Sequence, residues 1–184
     1  MLVHIRVGAY SASKSLIRIY IPTPVLQTDR AEHPPEMAHA ALPSIIAELA
    51  AGTAAAASRP LQEAARNSAA ELSNLTLTIP EFARRVAEEP GTLPALVASV
   101  AAGGTEGAPI LQDAATSCSA VLFQITKGGP ELARRVVDVP GAIHTLVTAV
   151  RAGSMVAAPS RLQDAAANSA KVLAQVVTAS PAIA

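Results

Sequence analysis

Three amide side chains, Asn74, Gln124 and Gln175, stand 50 and 51 residues apart. Seven residues before each stands another small polar residue: Asn67, Ser117 and Asn168. A carboxamide both donates and accepts hydrogen bonds. A row of such groups can pair with the main chain of an extended peptide without reading its side chains. An offset of seven is nearly two helical turns, so on helices the two sets share a face. Asn74 would lie about 200° around its helix from Leu72, at about 100° per residue. The expected chemistry is hydrogen-bonded recognition of a partner by Asn67, Asn74, Ser117, Gln124, Asn168 and Gln175. The competing reading is that amides near a helix end face water or bond a loop.

Bond-making chemistry has less to stand on. Cys118 is the one cysteine. It lies on an apolar stripe with no His/Asp pattern to activate it, so it reads as a small buried thiol. His4, His33, His39 and His144 have no metal-ligand spacing. Gly128-Gly129 lacks the surroundings of a phosphate loop and reads as a helix terminator before Pro130. The chain is therefore expected to be no enzyme and to need no cofactor or metal. Arg84-Arg85 and Arg134-Arg135 could form a basic patch, but each Arg has an acid four residues away: Glu81, Glu88, Glu131 or Asp138. Solvated i,i+4 pairs are the expectation there.

Whatever positions the amides is written more than once. Leu61-Gln62, Leu111-Gln112 and Leu162-Gln163 follow the same register of 50 and 51. Ala83-Arg84-Arg85 and Pro90-Gly91 recur as Ala133-Arg134-Arg135 and Pro140-Gly141. Each unit divides into three helical pieces. Pro80 to Glu89 and Pro130 to Val139 open on Pro, whose missing N–H has no helical partner anyway. Leu93 to Ala102 has counterparts in Ile143 to Ala152 and Leu42 to Ala51, ended by Gly103, Gly153 and Gly52. The third and longest helix starts near Leu61, Leu111 or Leu162. In the first copy Leu61, Ala64, Ala65, Ser68, Leu72 and Leu75 make one apolar stripe at helical period. Such helices must stack to bury their faces, which is the physics of a solenoid. Aromatics are 2% of a chain that is 51% hydrophobic, so the core is Ala, Leu, Val and Ile, and close helix packing follows.

The segments EFARRVAEEPGTLPALVASVAAG, LQEAARNSAAELSNLT, ELARRVVDVPGAIHTLVTAVRAG and LQDAAANSAKVLAQVV resemble armadillo repeats, with HEAT repeats as the near alternative. The likeness covers about Ala41 to Ala184. It departs in spacing: 50 residues, against about 40–47 for the family, the excess lying between the second and third helices. The resemblance implies an all-α, armadillo-like right-handed solenoid of about three repeats. It also implies binding of an extended peptide along the groove of the third helices. Asn74 matches the family's groove asparagine; Gln124 and Gln175 are one methylene longer. Import adaptors of the family place Trp four residues before that position, where this chain has Ala70, Ala120 and Lys171. Recognition of basic import signals by that mechanism is not expected.

Lys plus Arg and Asp plus Glu are both 14, giving a net charge of zero. That argues against a nucleic-acid partner. No apolar run is long enough to span a membrane. One cysteine fits a reducing compartment such as the cytoplasm. Residues 1–35 differ: Val3, Ile5 and Val7, then Ile17, Ile19 and Ile21, alternate with polar residues as strands do. They read as a strand-like or disordered arm plus linker, with an organelle transit peptide as the alternative. Residues 36–184 are expected to form the repeat domain, in units of about 41–91, 92–141 and 142–184. The terminal SPAIA aligns with IPEFA and GPELA, as if another unit were starting. The last long helix is therefore expected to turn an apolar face to a partner or a second copy. The alternative function is an architectural subunit, or a fragment of a longer solenoid, packed inside a large assembly.

Overall fold

The computed structural model describes residues 35–104 and 107–179. The expected N-terminal arm, the transit-peptide alternative and the SPAIA segment lie outside the described residues. Among the described residues the chain is all-helical. The helices are α1 (Pro35–Gly52), α2 (Arg59–Thr78), α3 (Pro80–Glu88), α4 (Thr92–Ala102), α5 (Pro109–Lys127), α6 (Pro130–Val137), α7 (Ala142–Gly153) and α8 (Ser160–Ala179). Prolines open α3, α5 and α6, and one follows the first residue of α2. Gly91 and Gly141, at φ 81 and 78, take the left-handed turn that starts α4 and α7.

The long helices α2, α5 and α8 pack consecutively, α2 on α5 and α5 on α8. The helix before each lies against it: α1 on α2, α4 on α5, α7 on α8. α1, α4 and α7 also touch in succession, while α3 and α6 pack on α5 and α8 respectively. One core runs through all of this. It includes Leu49, Leu72, Phe82, Leu96, Leu122, Ile125 and Leu146, each fully buried.

The joint within each unit repeats in detail. A Cβ added to Gly52 would collide with the Leu61 carbonyl and the Ala65 methyl. At Gly103 the obstacles are Leu111 and Ala115, and at Gly153 they are Leu162 and Ala166. These glycines are more than terminators. They let the end of one helix touch the first turn of the next long one. The glutamine of each Leu-Gln pair bolts the same joint. Gln62, Gln112 and Gln163 donate from Nε2 to the carbonyls of Ala57, Gly107 and Ala158, at 3.1, 3.1 and 2.8 Å.

Three expectations need correction. α1 begins at Pro35 and continues through Pro43. The counterpart Pro94 sits in the first turn of α4, where no N–H bond is lost. The stripe of α2 is rotated: Ala65, Ser68, Ala69, Leu72 and Thr76 are buried, while Leu61 is 44% exposed and Leu75 half-buried. α2 has only α5 beside it as a long-helix neighbour, whereas α5 is flanked by both α2 and α8. Of the expected Arg pairs only Arg84–Glu88 forms among the described residues, at 3.1 Å. Arg135 donates instead to the Ala87 carbonyl at the end of α3, at 3.4 Å.

Candidate functional site

Asn67 and Asn74 lie on α2, Ser117 and Gln124 on α5, Asn168 and Gln175 on α8. Consecutive packing of these helices places all six on one row of elements, two to a helix. Asn67 and Asn74 are exposed; the other four are half-buried. The neighbouring guanidinium occupies Asn67, as Arg66 Nε and Nη2 donate to its Oδ1 at 3.3 and 3.0 Å. The amides of Asn74, Gln124 and Gln175 make no protein hydrogen bond among the described residues. They differ in this from the Leu-Gln amides, which are bound to their own loops. The register thus contains two sets of amides, one tied and one open. Asn74 is the most accessible of the open set.

The surroundings of Gln124 and Gln175 hold groups that periodicity alone misses. The ring of Phe123 receives Lys127 Nζ at 5.6 Å from its centroid and Lys171 Nζ at 5.4 Å. Lys127 and Gln175 line one open cleft of about 370 Å³ with Thr178 and the start of α6. A second hollow, of about 480 Å³, lies between α4 and α7 and is apolar, lined by Pro94, Val97 and Pro140 among others. The signal for the first group was present in the sequence as a break in the repeat. Phe123, Lys127 and Lys171 stand where the other copies have small, polar or aliphatic residues.

Cys118 is fully buried on α5. Burial pushes its thiol from the ordinary 9.0 up to about 12, and the nearby Ser99 hydroxyl offsets a little of that. That hydroxyl has no partner in hydrogen-bond geometry, so its hold on the sulfur is weak. A thiol in this state stays protonated and is no nucleophile. Among the described residues no group of three or more His, Cys, Asp or Glu could hold a metal ion. No helix among them is long and apolar enough to cross a membrane.

No family model, no curated protein and no solved structure matches this chain.

Proposed function

We propose that the chain is a non-catalytic protein-binding module, built as an armadillo-like right-handed solenoid. It binds an extended peptide, or an extended segment of a partner protein, along α2, α5 and α8. Neither nucleic acid nor a membrane surface is the partner in this reading, which draws on the neutral charge balance. The observation that carries it is the open amide set: Asn74, Gln124 and Gln175, at one repeat position on three consecutively packed helices. Backbone-directed hydrogen bonds from such a row bind many sequences, and neighbouring side chains add the selectivity. The test is a peptide array probed with wild type and with the double variant Asn74→Ala, Gln124→Ala. The wild type is expected to retain a subset of peptides that the variant loses. Equal retention by both would remove the amide row from the account.

One observation favours a second reading, an architectural subunit that packs on another copy through α7 and α8. Val97 and Val100 on α4 are 6% and 3% exposed. Their counterparts Val147 and Val150 on α7 are half-buried. Leu122 is fully buried on α5, while its counterpart Leu173 on α8 is half-buried. Thr126 is 2% exposed and its counterpart Val177 is 51% exposed. The face that the following copy covers on α4 and α5 is thus less covered on α7 and α8.

A further inference from the structure

We propose that the junction of α5 and α8 takes a carboxylate of the bound segment, using Lys127 and Lys171 held on the Phe123 ring. This rests on the peptide-binding reading and names the chemistry one part of that surface selects.

Three substitutions break the repeat at this place. Phe123 stands where the other copies have Ser73 and Ala174. Lys127 replaces Leu77 and Thr178, and Lys171 replaces Ala70 and Ala120. They come from two helices and meet on one ring. Independent departures that converge in space are hard to assign to the packing of the repeat, since Lys127 and Lys171 are both exposed.

Both charges are open. Among the described residues neither lysine is in ion-pair reach of a carboxylate. Arg59, Arg84 and Arg161, by contrast, are each paired with one. A cation over an aromatic face keeps its N–H donors while losing part of its water shell. Lys127 also borders the 370 Å³ cleft that Gln175 lines, so both residues face one opening. Gly129 and Pro130 close the cleft on the α6 side. Glu131 follows them but does not line the cleft. Two ammonium groups on one ring, with Gln175 lining the cleft that Lys127 borders, offer charged and neutral donors to the oxygens of an anion. A carboxylate in an extended segment comes either from an Asp or Glu side chain or from a chain terminus. Both offer the same group.

The test is fluorescence polarisation with the full chain and labelled extended peptides of Gly-Ser background. One peptide carries two Glu, a second carries Gln in their place, and the Gln peptide is made with a free and with an amidated C terminus. The Glu peptide is expected to bind about tenfold tighter than the amidated Gln peptide. The advantage should shrink with added salt and vanish in the Lys127→Gln, Lys171→Gln variant. Phe123→Leu should reduce it while leaving both charges in place. If the free C terminus restores tight binding to the Gln peptide, the terminus is the carboxylate source; if not, the side chain is. Equal binding of the Glu peptide and of the Gln peptide with either terminus overturns the inference, as does an advantage unchanged in the double lysine variant. When the peptides bind equally yet lose binding to Asn74→Ala, Gln124→Ala, the amide reading stands and the carboxylate site alone falls. Binding of no peptide overturns both.

Discussion

Ser68, Cys118 and Ser169 occupy one repeat position, and each faces a different solution to the same burial. Ser68 donates to Glu48 Oε2 at 2.7 Å. Cys118 has Ser99 near it, at the repeat position of Glu48. Ser169 has Ala149 at that position and keeps a buried hydroxyl without a hydrogen-bond partner. A buried unpaired hydroxyl carries a desolvation penalty that a methyl does not. Ser169→Ala is therefore expected to leave stability unchanged or raise it by about 1 kcal/mol, whereas Ser68→Ala lowers it by about 1 kcal/mol. Urea unfolding of the two variants reads this directly, and a large loss at Ser169 would show an unrecognised partner. Cys118 adds a pH dependence. Its folded thiol titrates near 12 and its unfolded one near 9.0. Between those values the unfolded chain has released a proton that the folded chain still holds, so unfolding is favoured as pH rises. Below about 9 this group contributes no slope. The wild type should lose stability more steeply above pH 9 than Cys118→Ala, by at most about 1.4 kcal/mol per pH unit. Parallel curves would mean that the sulfur reaches water.

At the scale of helices, the joint is a glycine. Gly103 meets Leu111 and Ala115 with no room for a side chain. Gly104, its neighbour, would place a Cβ 3.4 Å from the Ala101 carbonyl, an ordinary contact. Gly103→Ala should therefore cost about 1–3 kcal/mol, the usual price of overpacking, while Gly104→Ala stays near neutral. Comparable thermal shifts in both would mean that α4 and α5 slide apart easily. This joint was half legible in the sequence. The Gly residues at 52, 103 and 153 read as helix ends, and periodicity marked the long helices, because Pro and Gly act locally on the backbone. Their role as contact points depends on where the next helix lies, which no local pattern states. The same limit explains α2. Spacing marks the apolar side of α2, but which of two adjacent columns is buried depends on where its neighbouring helices lie. Pro43 is a local breaking signal that α1 does not obey. The open amides were legible because they repeat. Phe123, Lys127 and Lys171 show in the sequence only as single departures from the repeat, and their meeting on one ring depends on where α8 lies against α5.

For the molecule as a whole, the repeat lets one copy serve as a control for another. α5 is tied to α8 by an ion pair between Arg161 and Asp113 and by the Thr116 hydroxyl, which donates to the Arg161 carbonyl at 2.9 Å. Those ties and the shared core join the copies, so a truncation at one position can be compared with its counterpart elsewhere. Val97 is 6% exposed and Val147 half-buried. In dilute solution Val97→Ala should cost about 1–2 kcal/mol and Val147→Ala roughly half of that. If α7 and α8 remain uncovered in solution, that ratio holds at every protein concentration and sedimentation reports one species. If a second copy packs there, sedimentation shows mass rising with concentration. The cost of Val147→Ala then climbs towards that of Val97→Ala, because association stabilises only the folded chain. The half-exposed Val150 and Leu173 and the 51% exposed Val177 lie on the same two helices. Val177→Glu should abolish such association while leaving the dilute chain folded. Peptide contacts at Asn74 and Gln124, on α2 and α5, should persist, and any loss of binding should be confined to the α8 end of the surface, where Gln175 lies. A Val177→Glu chain that still associates would place the contact on another surface of the molecule.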